Sequence, residues 1–160
     1  MKESGKERTR QMVIYQEQEL QLKKEKLGAR ILSQARNEPC LHMRFLDLAF
    51  GNLPVRPGKN VHPAGTDGGV LYFAPEDLLK LYRTGRVYAA RLYLHSLFHC
   101  LFCHPFYRKE REPEVWNLAC DIAAESIVDG LSLKCVHIPG AYRQAVYARL
   151  GEKLSVLTAG

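Results

Sequence analysis

His95 and His99 are the residues of this chain whose type and spacing could hold a metal ion. A residue four positions after another lies one helical turn further along the same face, so both imidazoles could reach one ion. In the zinc-binding H-E-x-x-H arrangement, the residue after the first histidine is a glutamate that takes a proton from metal-bound water. Here that residue is Ser96, and a neutral hydroxyl can hydrogen-bond a bound water but cannot act as its base near neutral pH. Metal binding and catalysis are therefore separate questions for this chain.

A zinc site made of side chains needs a third protein ligand, and three residues could supply it. Cys103 lies four residues after His99, on roughly the same stripe of the helix. His104 follows it, but Pro105 disfavours helical backbone at His104, so the periodicity does not give its direction. Asp121 is a carboxylate within an otherwise apolar helical run, where an unpaired acid is costly to bury. The residues alone leave all three open, and without a third ligand the two histidines would simply share a helix face.

The composition is that of a globular protein. The chain has 160 residues, of which 46% are hydrophobic and 25% charged, which is enough for one domain with a core. No apolar run approaches the roughly 20 residues that crossing a bilayer requires, and the charged start has no apolar segment behind it as a signal peptide would. The five cysteines are odd in number and scattered, which favours reduced thiols over a disulfide scaffold. We therefore expect a cytoplasmic protein.

The net charge of +6 raises the question of nucleic-acid binding. Many of the basic residues fall in the first 36 positions, where glutamates are interleaved with them, so a solvated helix face explains the charge at least as well. Residues 7–36 are free of proline and carry spaced apolar residues, which predicts a long amphipathic helix, with a break near Gly28. Pro39 should end it, and 41–48 predicts a second, short helical segment.

The rest of the sequence predicts a small β element followed by helices. Residues 51–69 are rich in proline and glycine and predict a loop, and the turn at 66–69 leads into a short strand or hairpin at 70–73. Helical spacing and capping predict helices over 75–82, 87–102, 114–131 and 141–157. The fold class is therefore α+β and mostly helical, with a β-hairpin or short sheet before the histidine helix. We divide the chain into a charged helical part, 1–50, and a main part, 51–160, within one compact domain.

Several motifs between residues 65 and 131 together resemble one protein family. They are Gly65-Thr66-Asp67-Gly68 before the strand, Ala74-Pro75-Glu76 at a helix start, H-x-x-x-H-C-x-x-x-H-P from His95, and P-E-x-W-N-x-A-C-D ending at Asp121. In order and spacing this set is similar to the metallopeptidase-like domain that precedes von Willebrand factor A-like domains in bacterial proteins. The resemblance covers a little under half of the chain and implies a zincin-like helical fold for 51–160.

The resemblance also implies a metal set. Carried over by position, it consists of His95, His99 and Asp121, with His104 nearby. Two imidazoles and a carboxylate suit zinc, although they also admit iron, cobalt or nickel. The family's helix normally reads H-E-x-x-H, so Ser96 is a departure that implies weak or absent peptidase activity.

A second departure lies on the next helix. The family commonly has asparagine four residues after the aspartate, where this chain has Glu125, on the same helix face as Asp121. One hypothesis is that Glu125 partly replaces the missing base. The interpretation we favour is that Glu125 pairs with an arginine, such as Arg91 or Arg108.

The resemblance implies protein partners as well. Members of the family occur with a von Willebrand factor A-like domain and are encoded beside AAA+ ATPases. No domain of the first kind fits after Leu157, so we expect the chain to be the front part of a longer protein or to meet that partner as a separate chain.

Three functions of different class follow from these observations. The first is a zinc-binding, metallopeptidase-like domain, catalytically impaired or inactive, that serves as a structural or peptide- or protein-binding module. The second is an active zinc-dependent hydrolase that uses another acid, such as Glu125. The third is a metal-free helical module that binds proteins or nucleic acid through its basic first helix.

Overall fold

The computed structural model describes residues 2–159. Within them, helices dominate, three short strands form one sheet, and 3-10 turns lie at Arg44–Leu46 and Lys134–Val136. The elements are α1 (Lys2–Ala35), α2 (Asn37–His42), α3 (Asp47–Gly51), β1 (Val55–Pro57), β2 (Ala64–Thr66), β3 (Leu71–Phe73), α4 (Pro75–Thr84), α5 (Arg86–Leu101), α6 (Pro113–Gly130) and α7 (Ala141–Gly151). The α+β, mostly helical class predicted from the sequence is confirmed.

The two ends of α1 have different surroundings. Residues 6–23 are exposed on all sides, including the apolar Met12 and Leu20, so most of the predicted amphipathic face is not buried. From Lys24 onward the helix packs against α4, α5 and β1. The predicted break near Gly28 is wrong, because the helix is continuous there. Glycine at this position allows close approach, since an added Cβ would lie 2.4 Å from Phe73 Cε2.

The sheet is built largely from the segment that the sequence predicted to be a loop. Its order is β1-β3-β2, with β1 parallel and β2 antiparallel to the central strand β3. The strand predicted at 70–73 is confirmed as β3, in which Leu71 and Phe73 are fully buried. The loop prediction for 51–69 is wrong over β1 and β2, because strands of three residues are too short to show an alternating pattern.

Helix boundaries also differ from the predictions, most clearly after α1 and at the end of the last helix. The single segment predicted at 41–48 is replaced by α2, a 3-10 turn and α3. Pro39 lies in the first turn of α2, where proline is tolerated because the amides of that turn have no helical partner. The last helix, predicted to reach Leu157, ends at Gly151.

Helix α5 runs through the core and carries much of it. Ala89, Tyr93 and Leu94 are fully buried, and the Tyr93 hydroxyl donates to the Phe50 carbonyl oxygen at 3.2 Å. The helix packs against α1, α4 and α6, which fixes the direction of its polar residues. Among the described helices, none is both long enough and apolar enough to cross a membrane.

Candidate metal centre

Helices α5 and α6 bring His95, His99 and Asp121 together. The two histidines lie one turn apart on α5, and Asp121 projects from α6, which packs alongside. One ligand atom from each of the three lies within 4.8 Å of the other two. Cys103 and His104, the alternatives left open by the sequence, lie outside this set of mutually close donor atoms.

The three donor atoms form a nearly regular triangle. His95 Nε2 is 2.9 Å from His99 Nε2, and Asp121 Oδ1 is 3.6 Å from the first and 3.3 Å from the second. On a tetrahedral zinc ion with bonds of about 2.0–2.2 Å, neighbouring ligand atoms are about 3.3–3.6 Å apart. The donors therefore fit a zinc-sized ion with small adjustments. The Asp121 side chain is 58% exposed, so a fourth position would face solvent.

The start of α6 is held in place by its own capping contacts. The Glu112 carboxylate accepts a hydrogen bond from the Val115 amide at 2.7 Å, and Pro113 occupies the first helical position. The buried Trp116 indole donates to the His104 carbonyl oxygen at 3.1 Å. This bond ties the beginning of α6 to the turn that follows α5, and so sets where Asp121 lies relative to the histidines.

The second nitrogen of His95 faces a carboxylate. Its Nδ1 is buried and lies 2.9 Å from Glu125 Oε1, although the contact is not aligned as a hydrogen bond. Arg91 Nε donates to Glu125 Oε2 at 2.9 Å, so this glutamate pairs with Arg91, as favoured above, and not with Arg108. A carboxylate behind a ligand histidine fixes the ring orientation and leaves the other nitrogen for metal.

The second nitrogen of His99 faces His104. The two Nδ1 atoms are 3.2 Å apart, and the rings meet edge to face. His104 is buried, and its backbone amide donates to the His99 carbonyl oxygen at 3.0 Å. His104 is therefore placed to orient His99, from the side of the ring away from Asp121.

A buried ion network continues behind Glu125. Arg91 is only 6% exposed and also contacts Asp129 at 2.8 Å, while its Nη1 donates to the Val136 carbonyl oxygen. Asp129 in turn pairs with Arg143 of α7 at 2.9 Å and accepts from the Tyr147 hydroxyl at 3.2 Å. The last helix is thus joined to the histidine site through alternating charges.

Without metal, His95 carries a proton, and this positive charge lies where a metal ion would bind. Burial lowers the pKa of His95, but its contacts with Asp121 and Glu125 outweigh burial and raise the pKa to about 9. Burial raises the pKa of Asp121, yet the same histidine contacts hold it well below its usual range. The two shifts agree, and they describe an imidazolium between carboxylates, which is the charge arrangement that a cation would replace.

A cleft of about 660 Å³ opens above the donors. Edge strand β2 forms part of its wall, and Arg108 and Lys109 lie at its rim. Ser96 also lines it, but this side chain is 4% exposed and its hydroxyl donates to the Leu92 carbonyl oxygen at 2.9 Å. Among the described residues that line the cleft, Asp121 is the sole acid.

Several cleft and support residues could not be found from the sequence. His62 lies in the glycine- and proline-rich segment, contacts Asp77 at 2.6 Å and reaches the cleft wall. Thr66 on β2 lies 3.2 Å from the Cys100 thiol on α5 and so joins the sheet to the histidine helix. Their positions depend on strands that gave no sequence signal. Among the supporting residues, Arg91 could have been recognised from the sequence, because it is a charged residue within an apolar helical segment.

Most of the chain matches the model of a known protein family. No curated protein and no solved structure matches the chain. A family model described as "Putative metallopeptidase domain" matches residues 30–149, which is well over half of the chain. The match includes both histidines, Asp121 and the supporting residues from Arg91 to Arg143. The chain therefore belongs to this metallopeptidase domain family.

Proposed function

We propose that this chain is a zinc-binding domain with little or no peptidase activity, which uses its metal cleft to bind a peptide segment of a protein ligand. The observation that carries the metal part is the triangle of His95 Nε2, His99 Nε2 and Asp121 Oδ1. Both histidines also have a group behind the ring that orients it. A zinc ion bound there would polarise a water or carbonyl oxygen.

The lack of a general base supports the catalytic part of the proposal. A base must come within hydrogen-bond reach of the water it activates. Ser96 cannot serve, and its hydroxyl is committed to the Leu92 carbonyl. Glu125 faces the Nδ1 side of His95 and pairs with Arg91, so it stands behind the ring rather than at the open metal position. Its position supports a role in holding His95 and gives no support to Glu125 as a substitute base.

The cleft wall supports a peptide as the ligand. Strand β2 pairs with β3 on one side, and no described strand lies beside its other edge. An unpaired strand edge beside a cleft can bind an extended peptide through backbone hydrogen bonds. Arg108 and Lys109 make no ion pair with a described residue, so the rim would favour a peptide carrying acidic groups. The partner classes implied by the family resemblance, a von Willebrand factor A-like domain and an AAA+ ATPase, are the first proteins to test.

The metal part is tested by elemental analysis of purified protein. We expect His95→Ala to contain one equivalent of zinc fewer than the wild type. His137→Ala, which changes an exposed histidine away from the site, serves as the matched control and should keep the wild-type content. Equal zinc in the wild type and His95→Ala would overturn the metal assignment.

The catalytic part is tested by restoring the acid. Zinc-loaded Ser96→Glu should hydrolyse a fluorogenic peptide library faster than the wild type, and Ser96→Gln, which has the same size without the charge, should not. A wild type that is already active, with no gain in Ser96→Glu, would contradict the proposal and favour an active hydrolase.

A further inference from the structure

A second set of converging donors lies outside the cleft that contains the histidine site. Glu38 and His42 are four residues apart on α2, and Cys135 lies in the 3-10 turn Lys134–Val136. A carboxylate oxygen, an imidazole nitrogen and the thiol sulfur lie within 4.8 Å of one another. None of these residues belongs to the cleft described above.

The three side chains are not committed to other groups. In the part of the chain that the structure describes, none of them makes a hydrogen bond or ion pair with another residue. Other residues of the same types do: the Cys40 thiol donates to Asp47 at 3.2 Å, and His62 contacts Asp77. A carboxylate, an imidazole and a thiol that approach one another without other partners form an available ligand set.

The mixture of donors indicates which ions would bind. Sulfur and nitrogen donors suit zinc, cobalt and nickel, whereas magnesium and calcium prefer sites made of oxygen alone. Zinc sites combine cysteine, histidine and carboxylate ligands, with Zn–S bonds of about 2.3 Å. Glu38 and His42 are exposed side chains one helical turn apart, so small rotamer changes can bring their atoms to bonding distance of an ion held by Cys135.

We propose that Glu38, His42 and Cys135 form a second binding site for a divalent ion such as zinc, cobalt or nickel. The bound ion would cross-link α2 to the 3-10 turn that precedes α7. Both α2 and that turn also pack against α5, so the ion would join two segments far apart in sequence on the surface of one core helix. A cross-link of this kind stabilises the folded chain, because the unfolded chain does not hold the three donors together. The inference does not depend on the function proposed for the histidine site.

Cobalt titration of the full chain tests the proposal, because the two sites differ in sulfur. The histidine site has only nitrogen and oxygen donors, whereas the second site would give a thiolate-to-cobalt charge-transfer band in the near ultraviolet. We expect this band in the wild type. Cys135→Ser should lose the band and should bind one equivalent of cobalt fewer. Cys40→Ser changes a different cysteine, which lies on α2, and serves as the matched control that should keep the band. His42→Ala should weaken cobalt binding at this site at least tenfold.

The double variant His95→Ala/His99→Ala separates this proposal from the first one. It should keep the charge-transfer band but lose the equivalent of cobalt that binds at the histidine site. A wild type that shows no band at saturating cobalt would overturn the second site. So would a band that persists in Cys135→Ser and disappears in Cys103→Ser, since that thiol would then be the ligand. Circular dichroism of each variant checks that it folds, and Cys135→Ser is close to isosteric.

Discussion

His99 Nδ1 and His104 Nδ1 lie 3.2 Å apart, so one of these nitrogens donates a hydrogen bond to the other. Burial, followed by the nearby His99, lowers the pKa of His104 to about 4, which makes His104 a neutral ring. If His99 presents Nε2 to a metal, its Nδ1 carries the proton and donates the hydrogen bond to His104 Nδ1. In this arrangement His104 stabilises the tautomer of His99 that metal binding needs.

This relationship predicts that His104 acts through His99. His104→Ala should weaken zinc binding about 10–100-fold, as is typical for loss of a group that orients a ligand. His104→Asn, whose amide oxygen can accept the same hydrogen bond, should recover part of the loss. Competition with a fluorescent chelator measures the affinity. X-ray absorption of zinc-loaded Cys135→Ser, which lacks the second site proposed above, should count two imidazole ligands per zinc, and a count of three would make His104 a ligand.

Arg91 should be among the most costly residues to replace. Arg91→Met removes the buried guanidinium between Glu125 and Asp129. The more exposed Arg143 remains beside these carboxylates. Removing one partner of a buried ion pair typically lowers the free energy of unfolding by about 3–5 kcal/mol. Urea denaturation measures the loss. Arg108→Met, at an exposed position, should change stability by less than about 0.5 kcal/mol, and similar values for the two variants would contradict the network.

The metal-free protein should lose stability as the pH rises. The pKa of His95 is raised to about 9 in the folded chain and is about 6.5 when unfolded. Its contribution is therefore complete below about pH 6.5 and is lost between there and about pH 9, with a magnitude of up to about 3 kcal/mol. Denaturation in the presence of a chelator, at several pH values, measures this slope. His95→Ala should flatten it, and an equal slope in that variant would assign the effect to other groups.

Gly28 should be intolerant of a side chain. Gly28→Ala places a Cβ 2.4 Å from Phe73 Cε2, and overpacking of this kind costs about 1–3 kcal/mol, more than the helix propensity that alanine gains. Gly130→Ala, at the end of α6 with open space around it, is the control and should be neutral or slightly stabilising. Thermal melting compares them. An unchanged midpoint in Gly28→Ala would mean that Phe73 moves aside at no cost.

The sequence by itself determined the local features. Helical spacing placed His95 and His99 on one face, and the turn before 70–73 marked the central strand. Both follow from short-range geometry, since a helix turn and a β-turn are each set by a few consecutive residues. The order and spacing of the motifs between residues 65 and 131 resemble a metallopeptidase-like domain, in agreement with the family match.

Only the tertiary structure decided which groups meet. From the residues alone, Asp121, Cys103 and His104 all stayed open as the third ligand, and the family resemblance implied Asp121. The packing of α6 on α5 places Asp121 Oδ1 beside the histidine pair. The strands β1 and β2 are three residues long and depend on pairing with β3, so no local pattern could reveal them. The sequence could suggest arginine partners for Glu125. Only the packing of α5 against α6 shows that Arg91 is the arginine that reaches it. Such contacts join residues far apart in the chain, and their formation depends on how the whole core packs.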